Sequence, residues 1–359
     1  MRSGDSIAEC YCERSFKRGM SAVKQVELPV FGIDKLRVVD AEMPEPGAGE
    51  VLIKFGGAAI NYRDYQIVIG EFAPEQALPL VPLSDGAGEV VATGADVSRF
   101  EVGDSVAPLF FPHWMSGPAL GAERAVSSGL ETPGVLREFG LYSEDAIAHV
   151  ASHLSAIEAA CFPCAGLTAW VSLRDLAGIG EGDTVLVQGT GGVAIFGLQF
   201  AKAMGASVIV TSGSDAKLEQ ARELGADHCI NYRATPEWGA AAQALTGGRG
   251  VDAVIEIGGT GTLRQSFGAI RRGGHIAVIG YLAGIDLDLT VFDLIERNAN
   301  LHGVSVGNRD SFEAMMAFTG THEIRPVIGG EFEFEDAPVA LQAIVRGEHF
   351  GKLAVNIGS

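Results

Sequence analysis

Short apolar runs recur at nearly even intervals through the middle of the chain, separated by polar or glycine-rich stretches. These candidate strands begin near Thr184, Ser207, His228, Val251, His275 and Leu301. Several intervening stretches, at 195–204, 214–224 and 236–245, are helical in character. Parallel strands need crossovers of about this length, so the alternation predicts an α/β fold with a six-stranded, doubly wound sheet.

Residues 20–150 have a different pattern, in which short alternating strands are broken by glycine and proline. Strands are predicted at 51–55, 88–92 and 105–108, and turns at 45–47 and 99–104. This pattern favours an antiparallel, barrel-like unit. The last segment, 308–359, ends in a predicted strand at 352–357, and we expect it to fold back onto that unit.

Residues 155–177, which precede the first strand of the regular repeat, are predicted to be helical. Ser155 is followed three residues later by Glu158. This is the spacing of a capping box, in which each side chain satisfies a free backbone N–H group at the start of a helix.

Composition and charge exclude several classes of protein. The chain has 359 residues, of which 47% are hydrophobic and 20% charged, as in an ordinary two-domain globular protein. A net charge of −19 argues against a nucleic-acid or anionic membrane surface, since both require a basic patch. The five cysteines are irregularly spaced and odd in number, which favours a reducing, cytoplasmic location. Residues 1–19 lack an apolar signal-peptide core, and we expect a disordered extension there.

The motif that carries most chemistry follows the strand at Thr184. It comprises Gly189, Thr190, Gly191, Gly192, Val193 and Ala194, in the G-x-G-x-x-[G/A] pattern. Gly189 allows a tight turn and Gly191 allows the backbone to approach a pyrophosphate, which then meets the free N–H groups at the start of the next helix. The motif therefore predicts a dinucleotide site, and its alternative is a plain strand-to-helix loop.

The next strand of the sheet indicates which dinucleotide is bound. It ends in Ser212 without the acid that would bind an adenosine 2′-hydroxyl, so we expect a 2′-phosphate and hence NADPH. Lys217 and Tyr232 follow the ends of neighbouring strands and could donate hydrogen bonds to that phosphate. The alternative is that both are ordinary surface residues.

Further motifs spread along the chain in a fixed order. They include 44–53 (PEPGAGEVLI), 61–64 (NYRD), 85–90 (DGAGEV), 164–170 (CAGLTAW), 224–227 (LGAD) and 350–352 (FGK). With these motifs and the glycine turn, residues 22–359 resemble the medium-chain dehydrogenase/reductase superfamily. The resemblance implies a GroES-like catalytic domain at 20–154 and 308–359, a Rossmann NADP-binding domain at 155–307, and an active site in the cleft between them.

The resemblance also indicates how the catalytic site differs from that of zinc-containing relatives. These carry Cys at the position of Asn61 and His-Glu at Ser84-Asp85, so only Cys164 keeps a zinc-ligand identity, with Asp64 as a further oxygen donor. A catalytic zinc normally has three protein ligands and a water. We therefore expect no metal site, as in the zinc-independent quinone oxidoreductase branch.

The resemblance places Asn61, Tyr62 and Asp64 in the active site, whereas the residues alone are equally consistent with a turn held by Asn and Asp side chains. Tyr62 could donate a proton or hydrogen-bond a substrate carbonyl. The branch often has a tyrosine five residues after the Asn, and this chain has Gln66 there in place of that proton donor. The resemblance also carries Thr168 and Val193 to the nicotinamide, although both could be core residues, and places Lys352 at the cofactor.

Two other features have competing interpretations. Cys161 and Cys164 have the spacing of a redox pair, but their apolar helical context favours buried structural thiols. Residues 110–115 are either a substrate-facing loop or a hydrophobic plug over the core.

We conclude from the sequence that the chain is an NADPH-dependent, zinc-independent oxidoreductase that transfers hydride to a quinone or an α,β-unsaturated carbonyl. The alternatives are an NADP-dependent alcohol dehydrogenase or carbonyl reductase, and a non-catalytic NADPH-binding or sensing protein. The partner is a small carbonyl or quinone substrate, without nucleic acid or membrane. The apolar strand at 301–306 should lie at a sheet edge, where an unpaired strand favours a homodimer.

Overall fold

The computed structural model describes residues 22–286 and 289–358. The prediction of a disordered extension at 1–19 lies outside these residues. Within them the chain forms two units with an α/β architecture, one a β-rich GroES-like unit and the other a Rossmann-type parallel sheet flanked by helices.

The strands, numbered in chain order, fall into three sheets. The bounds are β1 Val23–Glu27, β2 Arg37–Ala41, β3 Glu50–Ile60, β4 Asp85–Thr93, β5 Ser105–Pro108, β6 Phe139–Ser143, β7 Ile147–His149, β8 Thr184–Gln188, β9 Ser207–Ser212, β10 His228–Asn231, β11 Val251–Glu256, β12 Ile270–Val278, β13 Asn300–Gly303, β14 Ile328–Glu333 and β15 Lys352–Asn356.

The helices are short, and most of them connect strands. The α-helices are α1 Tyr62–Val68, α2 Ala156–Ala159, α3 Leu167–Trp170, α4 Gly192–Ala203, α5 Asp215–Glu223, α6 Trp238–Leu245, α7 Leu263–Ala269, α8 Val291–Arg297, α9 Arg309–Thr321 and α10 Ala337–Arg346. Single 3-10 turns lie at Ile33–Lys35, Ala122–Arg124, Glu144–Ala146 and Phe334–Asp336.

The parallel sheet has the order β10-β9-β8-β11-β12-β13. All six strands predicted from the sequence are present, and every neighbouring pair is parallel. The order reverses at β8, so the carboxyl ends of β8 and its neighbours open onto the crevice where such sheets bind ligands. As expected, β13 lies at an edge.

The β-rich unit is built on a seven-stranded sheet in which β3 is central. Strand β15, from the end of the chain, pairs antiparallel with β3, and the predicted strands at 51–55, 88–92 and 105–108 lie within β3, β4 and β5. One pair differs from the expected antiparallel arrangement. Strands β14 and β15 are parallel because helix α10 crosses over between them.

The predicted helix at 155–177 is present but is not a regular α-helix. Its capping box joins Ser155 and Glu158 as expected, and π-helical turns at Phe162–Gly166 and Val171–Leu176 flank α3. The segment Ala156–Leu176 is long and apolar enough to span a membrane, but 72% of its apolar window is buried inside the protein. Core helices of soluble proteins share these properties.

The two units are joined at the glycine turn after β8. Gly351, just before β15, forms a parallel bridge with Gly191, and its N–H group donates to the Thr190 carbonyl at 2.9 Å. A cluster of buried apolar side chains continues from the β-rich unit through residues 159–173 to the parallel sheet. The end of the chain therefore lies against the turn predicted to bind the cofactor.

Candidate active site

The glycine turn has the geometry that a dinucleotide site requires. Gly189 has a φ of 74°, a left-handed conformation that favours glycine, and Gly191 is the N-cap of α4. A Cβ atom on Gly191 would point into open space, whereas one on Gly192 would lie 2.5 Å from the Lys352 side chain. The first glycine therefore shapes the turn, the second leaves its outer face open, and the third makes room for Lys352.

This turn fits the phosphates of a nicotinamide dinucleotide. Helix α4 has twelve residues, no side chain of the described part of the chain caps its start, and its first turn contains no acidic side chain. The first N–H groups of a helix have no partner within the helix itself. Such a helix start favours an anion through its N–H groups and dipole. Val193, in this first turn, is half-buried against the core.

Two of the residues predicted for a 2′-phosphate, Ser212 and Tyr232, lie together at the carboxyl end of β9, where the Tyr232 N–H donates to the Ser212 carbonyl at 3.2 Å. Ser212 is buried there, and a Cβ atom on the next residue, Gly213, would lie 2.7 Å from Tyr232 Oη and 2.8 Å from Arg233 Nε. Arg233 was not predicted from the sequence, although it directly follows Tyr232. Lys217 is in the first turn of α5, but its ammonium donates to the Gly347 carbonyl at 2.6 Å. Burial lowers the pKa of Lys217.

A second polar cluster lies between the glycine turn and α1. The Lys352 ammonium is buried and donates to the Ile60 carbonyl at 2.9 Å and to Asn61 Oδ1 at 2.8 Å. The Asn61 amide donates to Ser84 Oγ at 3.2 Å, and that hydroxyl donates to Asp85 Oδ1 at 2.8 Å. The network therefore links a cation of β15 to a carboxylate of β4 through Asn61.

Asp85 completes this network. Its second carboxylate oxygen lies 3.9 Å from Lys352 Nζ and accepts the Cys164 backbone N–H at 3.1 Å. Burial raises the pKa of Asp85, whereas Lys352 and the hydrogen bonds from Asn61 and Ser84 act in the opposite direction. From the sequence, Ser84 and Asp85 stand out only as positions that lack zinc ligands. Their position beside a buried lysine could be found only in the fold.

Of the predicted catalytic residues, Asn61 and Asp64 hold the start of α1. Asp64 Oδ2 accepts the Asn61 N–H at 2.8 Å, as in a capping box, and Asp64 is fully buried. Burial raises the pKa of Asp64 to about 6, with Arg63 opposing and Asp85 adding to the shift. Both the turn interpretation and the active-site interpretation are therefore compatible with these contacts.

Tyr62, the first residue of α1, is the predicted catalytic side chain that remains accessible. It is 38% exposed, and its ring lies 5.8 Å from that of Tyr65. Burial raises its pKa, with smaller contributions from Tyr65, Glu71 and Tyr281. A phenol of raised pKa keeps its proton at neutral pH and can donate it to an acceptor.

Tyr281 belongs to the other unit and was missed by sequence analysis. It follows β12, and its hydroxyl donates to Gln66 Oε1 of α1 at 2.9 Å. The branch often has a tyrosine at the position of Gln66, so the structure brings a phenol to this place from across the cleft. Because β12 ends at the same sheet edge as β8, this position could have been suspected from the sequence.

The remaining predicted residues lie in the core around this site. Thr168 is buried, and its hydroxyl donates to the Cys164 carbonyl at 2.7 Å. Cys161 and Cys164 are free thiols. Burial raises the pKa of Cys161 to about 12 and also raises that of Cys164, which agrees with structural thiols and not with reactive thiolates.

The segment at 110–115 was predicted to be either a substrate-facing loop or a hydrophobic plug over the core, and its residues differ in burial. Phe110 and Phe111 are buried in the core, as the plug interpretation predicts, whereas His113 is exposed. The Arg63 guanidinium lies 4.2 Å from the Phe110 ring centroid and donates to Ser127 Oγ at 2.9 Å. Arg63 thus fixes the neighbouring loop to α1.

Comparison with known proteins identifies the family. The alcohol dehydrogenase GroES-like domain model matches residues 47–158, and the zinc-binding dehydrogenase model matches residues 192–320. A zinc-type alcohol dehydrogenase-like protein of Schizosaccharomyces pombe is 39% identical over 335 residues, which cover 91% of this chain and 97% of the relative. The chain belongs to the medium-chain dehydrogenase/reductase superfamily. It is an alcohol dehydrogenase-like oxidoreductase, in a family that depends on a nicotinamide cofactor.

Solved structures within the superfamily share the whole fold. An NAD-dependent alcohol dehydrogenase matches with a TM-score of 0.85 at 31% identity, covering 93% of this chain and 100% of the other. A 2-octenoyl-CoA carboxylase reductase in complex with NADP and 2-octenoyl-CoA gives 0.82 at 25%, covering 96% and 90%. The quinone oxidoreductase from Coxiella burnetii gives 0.75 at 27%, covering 94% and 100%.

One matching family model is named for zinc-binding dehydrogenases, so the polar atoms of this site were compared with the ligands that zinc prefers. They do not fit a zinc ion. Asn61 and Ser84 offer an amide and a hydroxyl, and both are engaged in the Lys352–Asp85 network. A metal-binding group of three or more His, Cys, Asp or Glu is absent from the described part of the chain. Zinc prefers thiolate, imidazole and carboxylate ligands, and a neighbouring ammonium disfavours a second cation.

Proposed function

We propose that this dehydrogenase/reductase is a zinc-independent enzyme that uses NADPH to reduce a quinone or an α,β-unsaturated carbonyl compound. The observation that carries the proposal is the Lys352–Asn61–Ser84–Asp85 network. It includes the positions at which the family resemblance implies metal ligands in zinc-containing relatives. The glycine turn supports binding of a nicotinamide dinucleotide, and the residues at the end of β9 support one that carries a 2′-phosphate.

NADPH, when bound, supplies a hydride, that is, a proton with two electrons, to the acceptor. The chain provides the binding surface for its phosphates through Gly191, Gly192 and the start of α4. Ser212, Tyr232 and Arg233 surround the position proposed for the 2′-phosphate. The absence of an acid at the end of β9 avoids repulsion of that dianion.

A reduced carbonyl gains negative charge on oxygen, and without a Lewis acid a hydrogen-bond donor must stabilise it. Tyr62 is our candidate, because its phenol keeps its proton and is accessible beside the buried network. Asn61 uses its amide oxygen and one amide N–H within that network. Its role is therefore to fix the start of α1 and position Tyr62.

Two related structures support this choice of acceptor. One is a quinone oxidoreductase, and the other contains NADP with an enoyl thioester, an α,β-unsaturated carbonyl compound. The second candidate function is oxidation and reduction of alcohol/carbonyl pairs. The alcohol dehydrogenase names of the Schizosaccharomyces pombe relative and of the NAD-dependent structure favour it.

A turnover screen tests the proposal. The purified chain is supplied with NADPH or NADH and with quinones, enals or simple ketones, and nicotinamide oxidation is followed by absorbance. Preference for NADPH with quinones or enals supports the proposal, whereas turnover of ketones alone supports the second candidate. Binding of NADPH without turnover of any acceptor would indicate a sensing protein.

A further inference from the structure

A short strap connects the two parts of the proposed cofactor site. It runs from Gly347 to Gly351, between α10 and β15, and both terminal glycines have positive φ values of 62° and 81°. Its first carbonyl accepts the Lys217 ammonium, and its last N–H group donates to the Thr190 carbonyl of the glycine turn. The strap thus contacts both the 2′-phosphate end and the pyrophosphate end of the site.

His349 is the central residue of this strap. Two residues of extended chain span at most about 7 Å, so His349 lies within this distance of both Gly347 and Gly351. A dinucleotide with one phosphate near Lys217 and two phosphates at the glycine turn would extend between the same two contacts as the strap. The position of His349 therefore follows from chain connectivity and does not depend on the orientation of its ring.

The imidazole ring has an unfilled hydrogen-bonding capacity. Its Nδ1 atom is buried and has no hydrogen-bond partner among residues 22–286 and 289–358. Buried polar atoms are nearly always paired in folded proteins, so this atom indicates a missing partner. The charged groups that face the ring are Lys217 of α5 and Lys352 of β15, and Glu348 on the strap itself lies near Lys217.

We propose that His349 is a phosphate-binding residue of the cofactor site and takes up a proton when the dinucleotide binds. This inference rests on the proposed nicotinamide cofactor. Burial, with the two neighbouring ammonium groups, lowers the pKa of free His349 to about 4, so the ring is neutral at physiological pH. A bound phosphate offers an acceptor and compensates the positive charges, which favours the imidazolium form.

Proton uptake by His349 makes the affinity for the dinucleotide depend on pH. Binding that raises the pKa of His349 consumes a proton wherever the pH lies between about 4 and the higher value in the complex. Affinity for the dinucleotide therefore rises as the pH falls through that interval. A histidine that acts only through packing does not produce this linkage.

Calorimetric titration of the full chain with NADP⁺, in buffers of different ionisation enthalpy, measures the proton uptake directly. Wild-type protein should take up more protons than His349→Gln at mildly acidic pH, and the variant should bind about tenfold more weakly, the lower range for a charge-assisted hydrogen bond. The 2′-phosphate of NADP⁺ also titrates in this range, and the comparison between the two proteins removes its contribution. His322→Gln, which replaces an exposed histidine at the end of α9, is the matched control and should behave as wild type.

Titrations with NADH and 2′,5′-ADP identify the phosphate involved. A loss confined to NADP⁺ and 2′,5′-ADP assigns His349 to the 2′-phosphate, and a loss shared with NADH assigns it to the pyrophosphate. Unchanged affinity, or reduced affinity with unchanged proton uptake, in His349→Gln overturns the inference while the proposed function stands. Wild-type protein that prefers NADH but still shows the uptake overturns the NADPH proposal and leaves His349 as a phosphate ligand. Wild-type protein that binds neither nucleotide overturns both.

Discussion

Lys352 Nζ lies 2.8 Å from Asn61 Oδ1, although the two residues are 291 positions apart in the chain. The contact exists because β15 pairs with β3, which brings the start of the last strand beside the end of β3 and the start of α1. Lys352 also packs against Gly192 of the glycine turn, so the same side chain contacts both Asn61 and the proposed cofactor site. One side chain therefore couples the predicted hydride-donor and acceptor sites.

Removal of Lys352 should destabilise the protein more than removal of its whole ion pair. Lys352→Met leaves the Asp85 carboxylate buried without its cation, which we expect to cost about 3–5 kcal/mol. Asp85→Asn in the same chain should restore part of this free energy of unfolding. Urea denaturation of both single variants and of the double variant measures the coupling, and strictly additive losses would show that the pair does not interact.

Asp64 should make the protein less stable as the pH rises from about 4 to about 6. Its pKa in the fold is about 6, above its ordinary value, so the folded chain binds more protons than the unfolded chain in this interval. Loss of that proton costs about 3 kcal/mol, since each pKa unit corresponds to about 1.4 kcal/mol. Asp64→Asn should flatten the decline in urea denaturation across this interval, whereas Asp310→Asn, at an exposed helix start, should not. An unchanged pH profile in Asp64→Asn contradicts the raised pKa.

Sequence patterns were sufficient for the architecture but not for the polar network. The six strands from Thr184 to Leu301 follow from local apolar runs and their spacing, and each is present in the fold. The pairing of Lys352 with Asp85 depends on three elements that are distant in the chain, and no local pattern encodes it. Tyr281 is similar, because its contact with Gln66 depends on how closely the two units approach each other.

Preference for NADPH should depend partly on Lys217. Its ammonium donates one hydrogen bond to the Gly347 carbonyl. It can therefore bind a 2′-phosphate with its remaining N–H groups, or by exchanging the carbonyl for a phosphate oxygen. Lys217→Ala should weaken NADPH binding by about 1–3 kcal/mol and spare NADH, as expected for a hydrogen bond to a charged group. Fluorescence titration measures both affinities, and Lys35→Ala, an exposed lysine paired with Asp34, is the control. If NADH binds the wild-type chain as tightly as NADPH, the assignment of the phosphate site is wrong.

The purified protein should contain less than stoichiometric zinc and should keep its activity in the presence of a chelator. The reason is that Asn61 and Ser84 offer neutral donors that are already bonded, beside a buried ammonium. Elemental analysis with activity measured before and after chelation tests this expectation. One zinc per chain together with loss of activity on chelation contradicts it and returns the protein to the zinc-dependent branch.

A homodimer should form through the edge of the parallel sheet. Strand β13 lies at that edge, and the neighbouring α8 exposes Phe292 and Ile295 by 77% and 67%. Apolar groups exposed beside an unpaired strand are typical of a protein interface. A two-fold axis would let this strand and helix meet their copies.

Phe292→Glu should therefore convert the dimer into a monomer without loss of folded structure, because its side chain contributes little to the core. Leu120→Glu is the matched control, since Leu120 is 87% exposed and belongs to the β-rich unit, outside the parallel sheet. Val304→Pro, just after β13, is a poorer probe of the interface. The Val304 N–H donates to the Val278 carbonyl of the same chain at 2.9 Å, and proline would remove this bond as well. Light scattering on dilute protein gives the mass of each variant. A wild-type chain that is monomeric throughout refutes the dimer, and a Phe292→Glu variant that stays dimeric places the interface elsewhere.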